Sequence, residues 1–312
     1  MATMTTAIPS QKVSKQLSSP PRTLWSDTWR RFRRHRLAMV GAAMLAIFAF
    51  AALFGPFLYT MDPEALDFAA VLVTPGTVGH TLGTDELGRD LLARTLFGGR
   101  ISLAVGFVAM LIDVLLGSII GAVAGYFGGK VDQILMRITD LFLSLPVLPL
   151  LLLTIYLFGE PVRKMLGPEI GIFVIVVSMI GCLAWMPTAR IVRATFLSLK
   201  QKEFVEAAAS LGVKSSSIMF KHILPNALSP IIVAATLGVG NAIITESVIS
   251  FLGVGFPPDT PTWGRLVTDG SQFLQAAPWL AIVPGALIFL TVLSINFMGD
   301  GLRDALDPRQ RQ

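Results

Sequence analysis

Six apolar stretches constrain this chain more than any other feature: residues 37–59, 102–127, 141–158, 170–186, 229–253 and 280–298. A helix of about 20 apolar residues crosses the hydrocarbon core of a bilayer. The third and fourth stretches are short, but each is long enough to span with its flanking turns. The hydrophobic share, 53% of 312 residues, is close to that of a soluble protein, so it decides little. The charged share decides more: 14% here, against roughly 25% in soluble domains. Most of the chain therefore sits where charge is costly, and the fold class is an all-α membrane protein with six transmembrane helices. Pro146 and Pro149 in the third stretch, and glycines in the second and fifth, suit membrane helices. Cys182 is the single cysteine and lies in an apolar run, so an intrachain disulfide is excluded.

Lys and Arg set the orientation. Eight precede Leu37, two are Lys130 and Arg137, six lie in residues 190–221 and three follow residue 298. With the N-terminus inside, 19 of the 25 basic residues are cytoplasmic, so the chain is read as N-in and C-in, a multi-pass cell-membrane protein. Residues 1–23 have no apolar period and are expected to be a disordered cytoplasmic tail. Residues 24–36 place Trp25, Trp29 and Phe32 on one helical face and five arginines around it, which predicts a basic amphipathic juxtamembrane helix on membrane lipid. A plain positive-inside anchor gives the same composition. The remainder, 37–312, reads as one six-span domain, and no nucleic-acid partner is expected.

The cytoplasmic segment 187–230 is long and contains EFVEAAASLGVKSSSIMFKHILPNALSP at 203–230. Phe204, Ala208 and Leu211 recur at helical spacing, Gly212 fits a helix stop, Ser215 or Ser216 could cap a second helix, and Pro225 is expected to end it. Pattern alone allows either a presented helix–turn–helix or an ordinary amphipathic loop on the membrane surface.

Particular residues narrow this. Glu206, Ala207, Ala208, Gly212 and then Leu224–Pro225 resemble the EAA motif of ABC-importer permeases. The family pattern has Ile where this chain has His222, with Ile223 beside it. WRRFRRHRLAMVG at 29–41, LGTDELGRDL at 82–91, SFLGVG at 250–255 and GDGLRDALDPR at 299–309 are similar to the dipeptide/oligopeptide/nickel permeases, and to the second, C-type subunit of the pair. The resemblance spans residues 29–309. It implies the type I ABC-importer permease fold and a coupling loop formed by Glu203, Glu206, Ala207, Ala208, Gly212, His222, Leu224 and Pro225. It also implies partners: a homologous permease forming a heterodimer, two ATPase subunits that hold ATP and Mg, and an extracytoplasmic substrate-binding protein. Small peptides are the implied cargo; nickel complexes or other small solutes are carried by the same family.

A phosphate-binding loop of the form GxxxxGK[ST] is missing: at Gly129–Lys130 the flanking positions are Ala124 and Val131. The chain is therefore read as a non-enzymatic transport subunit with no cofactor of its own. Three histidines without HExxH or a Cys/His cluster disfavour a membrane metalloenzyme. The loop with Asp85, Gly88, Arg89 and Asp90 reads as an external cap held by turns and internal polar contacts, or else as a metal loop. Asp113 and Glu246 lie in apolar spans, where a carboxylate is costly. Together with Asn241, they either line a path for substrate or serve as polar glue between helices. A secondary transporter coupled to an ion gradient is the competing class, although its usual internal repeat is not seen.

Overall fold

The computed structural model describes residues 24–306, so the tail expected at 1–23 and the last six residues lie outside the described residues. Helices dominate: α1 (Leu24–Arg34), α2 (Arg36–Leu58), α3 (Leu91–Phe127), α4 (Gly129–Ser144), α5 (Val147–Leu166), α6 (Pro168–Lys200), α7 (Glu203–Ser210), α8 (Leu224–Phe251), α9 (Trp263–Ser271) and α10 (Trp279–Leu306). Among the described residues the only β pairings are two isolated bridges, Thr77 with His80 and Thr84 with Asp90. Five helical segments are long and apolar enough to span alone, and α4 with α5 form a sixth, bent by 84°.

The bend has a local cause. Leu145 precedes Pro146 and is held extended (φ −79°, ψ 139°), because the proline ring disfavours helical geometry one residue earlier. Pro149 lies in the first turn of α5, where its missing N–H would have no helical partner. The expected span 141–158 is thus two helices meeting at Pro146.

Two expected spans are longer than their apolar cores. At 1.5 Å per residue, α3 and α6 run for about 55 and 50 Å, against a hydrocarbon thickness of about 30 Å. Hydropathy loses α3 at Arg94 and Arg100, and loses α6 at Arg190. Each of these arginines is paired, so the helix continues. Arg100 donates to the carbonyl of Ala52 at 2.8 Å, the carbonyl left free because Pro56 has no N–H. Arg190 meets Asp140 of α4 at 2.5 Å, and Arg193 forms a bidentate pair with Asp132. The segment expected as a loop from 187 is therefore helix as far as Lys200.

The α3–α6 pair forms the centre. Small residues let the two backbones approach: a methyl group at Gly117 would lie 2.7 Å from Thr188, and one at Gly125 would lie 2.7 Å from Phe196. Val105 and Ala109 of α3 and Ile172, Val176 and Ile180 of α6 are buried in one cluster with α5 and α8. α2 lies against α10 on the outside of this core, and Gly41 abuts Ser294.

Packing fixes two ends. The termini of the described chain meet at one, where His35 faces Asp304 at 3.6 Å and Phe32 is buried against Ala38 and Ala305. α7 sits at that same end. The connector 59–90, the start of α3 and α9 form the opposite end. Phe32 was expected to face lipid with Trp29. It instead fastens α1 to α10, while Trp29 remains 59% exposed.

Candidate functional site

Helix α7 starts directly after Lys202, whose extended backbone accepts from Val205 and Glu206. It is eight residues long and would be marginal alone, so packing has to hold it. Val205 and Ala208 are buried against Ile218, Met219 and Ile223. The buried face keeps Ala208 of the expected Phe204–Ala208–Leu211 stripe but takes Val205 in place of its ends: Phe204 is 41% exposed and Leu211 is 84% exposed. Glu203, Glu206 and Ala207 are exposed beside them. Gly212 adopts φ +75°, a region glycine enters without strain, and a methyl group there would meet no atom within 4 Å.

The second helix differs from expectation in two ways. Ser215 is its first residue, and the preceding Lys214 makes no side-chain cap. Pro225 does not end it. Residues Ile218–Ile223 widen into a π-helix, in which Leu224 N–H reaches Met219 one residue further back than an α-helix would. The wider turn moves backbone carbonyls away from the proline ring, and helical structure runs unbroken into α8. His222 and Leu224 are half-buried, Pro225 is exposed, and the His222 carbonyl accepts from Asn226 at 2.7 Å. This end of the molecule therefore presents a short helical ledge with two uncovered apolar side chains and two carboxylates.

Between α3, α5, α6 and α8 lies a cavity of about 420 Å³. Asp113 and Asn241 both line it, joined by Thr188 and Thr245; most other lining residues are apolar. Asp113 is only 4% exposed, and its Oδ1 has no hydrogen-bond partner.

Glu246 is placed elsewhere. It is fully buried and takes no part in that cavity. Its Oε1 accepts from Ser250 and from Thr262, each at 2.8 Å, and Oε2 accepts from Ser102 at 3.4 Å. Ser102 in turn accepts from the Trp263 backbone at 3.1 Å, and Thr262 accepts from Arg265 N–H as the cap of α9. The carboxylate thereby ties α3, α8 and α9 together. Three hydroxyls occupy it, an arrangement of the polar-glue kind, and it does not line the cavity at Asp113.

The connector 59–90 is organised by Asp85. Its Oδ1 accepts from the backbones of Leu87 and Arg89, both at 2.9 Å. Its Oδ2 accepts from Arg89 at 2.7 Å and from Arg94 at 2.5 Å. Arg94 continues to the Pro258 carbonyl at 3.3 Å and to Asp269 at 3.8 Å; Arg265 meets Asp269 at 3.0 Å. Asp90 caps α3 through Ala93 N–H and also meets Tyr59 at 3.0 Å and His80 at 2.9 Å. Burial and the Asp90 carboxylate push the Tyr59 phenol up to about 12. Gly88 lies at φ +76°, and a methyl group there would collide with the Asp67 carbonyl. Arginines and N–H groups thus occupy Asp85, and among the described residues no three metal-ligating side chains converge. Asp269 and Thr262 were not singled out from sequence; Asp269 reaches Arg94 and Thr262 reaches Glu246 only once separate helices are packed together.

Comparison with known proteins adds the following. Residues 117–312 match the family described as binding-protein-dependent transport system inner membrane component. Residues 23–75 match the N-terminal TM domain of oligopeptide transport permease C. The oligopeptide transport system permease protein OppC of Haemophilus influenzae is 43% identical, over 93% of this chain and 90% of its own. The corresponding Bacillus subtilis protein is 38% identical, over 97% and 94%. The dipeptide transport system permease protein DppC of Alkalihalophilus pseudofirmus is 38% identical, over 92% and 90%. Among solved structures, a chain of the MetNI methionine ABC transporter in an inward-facing conformation superposes with a TM-score of 0.50 at 19% identity, covering 70% of this chain and 96% of that one. That likeness concerns the fold.

Proposed function

This chain belongs to the family of binding-protein-dependent transport system inner membrane components, and from that premise we propose that it is one membrane subunit of an ATP-driven importer of di- or oligopeptides. The relatives at 43% and 38% identity, named for oligopeptide and dipeptide transport, support the cargo class. The chain works in the bacterial inner membrane beside a homologous permease, and an extracytoplasmic binding protein delivers substrate. Two ATPase subunits hold ATP and Mg and carry out hydrolysis; this chain is not an enzyme. The lysine and arginine asymmetry favours placing the α7 end in the cytoplasm, with both termini.

The surface of α7 is the observation that carries this reading. A helix with Val205 and Ala208 packed inward, and with Phe204, Leu211, Glu203 and Glu206 left uncovered, has a second face for a partner. The segment that follows is unbroken helix into α8, so a push on α7 is transmitted into α8 and, through Ile218 and Met219, to Val192 and Phe196 of α6. ATP-driven closure of the ATPases then shifts the spans between inward- and outward-facing populations.

Gly212→Trp tests the docking surface. The added Cβ has no neighbour within 4 Å, and the positive φ adds about 1–2 kcal/mol of backbone strain. Membrane insertion is expected to be normal and ATPase co-purification to be lost. Co-purification of the ATPases at wild-type yield would refute the assignment.

A further inference from the structure

We infer that the cavity at Asp113 is a binding site for an ammonium group, engaging the charged amino end of an organic solute through the Asp113 carboxylate. Among the described residues that line it, Asp113 alone is charged, so the cavity carries negative charge and no cation of its own. The nearest arginine along α6, Arg190, is engaged by Asp140. Asp113 is nine-tenths buried, yet Oδ1 has no protein donor. A buried acceptor left without a partner is costly, and a substrate ammonium supplies the donors and the opposite charge.

The surroundings suit such a ligand. Thr188 offers a hydroxyl beside the carboxylate. Gly238 keeps this side of the carboxylate uncrowded: a methyl group at that position would press on Asp113 Oδ2 at 3.1 Å. Asn241 and Thr245 continue the polar row along α8, opposite apolar walls that include Leu151 and Ile180. The volume, about 420 Å³, falls within the ~300–1,000 Å³ of small-molecule sites. A cavity of one negative group, a few hydroxyl and amide groups and apolar walls favours a small amine-bearing solute over an anion. This deepens the transport reading and rests on it for identifying that solute as a peptide.

The test reads the cavity directly. In the assembled complex in nanodiscs, N241C is introduced with C182S, and the thiol is labelled with a cationic and an anionic methanethiosulfonate of similar size; T245C repeats the measurement at a second position. Relative to a free thiol, the cationic reagent is expected to be favoured by about tenfold, the order given by one unit charge a few ångströms away. D113N should abolish this preference. Millimolar dialanine should slow labelling, whereas N-acetyl-dialanine should not. The proposal is overturned by an unchanged preference in D113N, by no labelling at either position, by equal protection from both dipeptides, or by protection from potassium equal to that from dialanine. The transport reading fails separately, as an absence of ATP-dependent peptide uptake by the wild-type complex.

Discussion

Asp85→Asn isolates the charge at the centre of the connector 59–90. The amide keeps an oxygen for the Leu87 and Arg89 backbones, but it turns an NH₂ toward the two guanidiniums. Arg89 and Arg94 are only 7% and 2% exposed at their side chains, so water cannot replace the lost carboxylate. Breaking a buried ion pair costs about 3–5 kcal/mol. Glu86 at 3.5 Å from Arg89 and Asp269 at 3.8 Å from Arg94 remain as longer contacts, which puts the cost near the lower bound, about 3 kcal/mol. That corresponds to roughly a 100-fold larger population of the opened connector. Amide hydrogen exchange over residues 84–94 measures it, because exchange of protected amides follows local opening. Asp85→Asn should speed exchange there by about 100-fold and leave the α6 core unchanged. As a control, Glu160→Gln removes an exposed i,i+4 pair with Lys164 and should change nothing. Exchange in Asp85→Asn within about threefold of wild type, well under 1 kcal/mol, would refute the argument that this ion cluster holds the connector closed.

Three further outcomes are expected. Glu206→Lys reverses the charge of an exposed α7 residue, and ATPase activity in proteoliposomes should no longer respond to liganded binding protein; an unaltered response would count against coupling through α7. Glu246→Gln keeps an acceptor for Ser250 and Thr262, so uptake and the preference between neutral and basic peptides should be unchanged; a shifted preference would put Glu246 on the substrate path. The phenol of Tyr59 is held up to about 12, above the ordinary value near 10. Its contribution is therefore complete below pH 10 and lost as pH rises from about 10 to 12. In an ultraviolet phenolate titration, Tyr59→Phe should remove a transition near pH 12. Loss of an early one instead would show that Asp90 does not protect this hydroxyl.

Hydropathy located the spans because lipid penalises charge residue by residue, and that penalty is written locally. It misjudged their ends for the same reason. Arg94 and Arg190 look like span termini until Asp85 of the preceding connector and Asp140 of another helix are brought against them. Pro225 looked like a helix stop, yet the π-helical turn before it removes the clash; nothing local in IMFKHI announces that widening. Helix α9 was missed because it is short and half polar, although Thr262 before Trp263 is a readable N-cap. The two membrane carboxylates were indistinguishable in sequence. Three hydroxyls from α3, α8 and the α9 cap separate Glu246 from Asp113, and no spacing rule reaches across such contacts. The short helix and the Gly212 turn of segment 203–212 were legible in the sequence, while the side the helix leaves uncovered was not, since burial of Val205 depends on Ile218 and Met219 across the turn.

The central claim is that movement of substrate through this chain is driven by ATP on partner subunits. Peptide uptake into proteoliposomes holding this chain, its partner permease and the ATPases, supplied with binding protein, tests it most directly. Accumulation should require ATP, stop with vanadate and persist with an ionophore that collapses ion gradients. Accumulation that survives vanadate and collapses with the ionophore would contradict the account and identify an ion-coupled transporter.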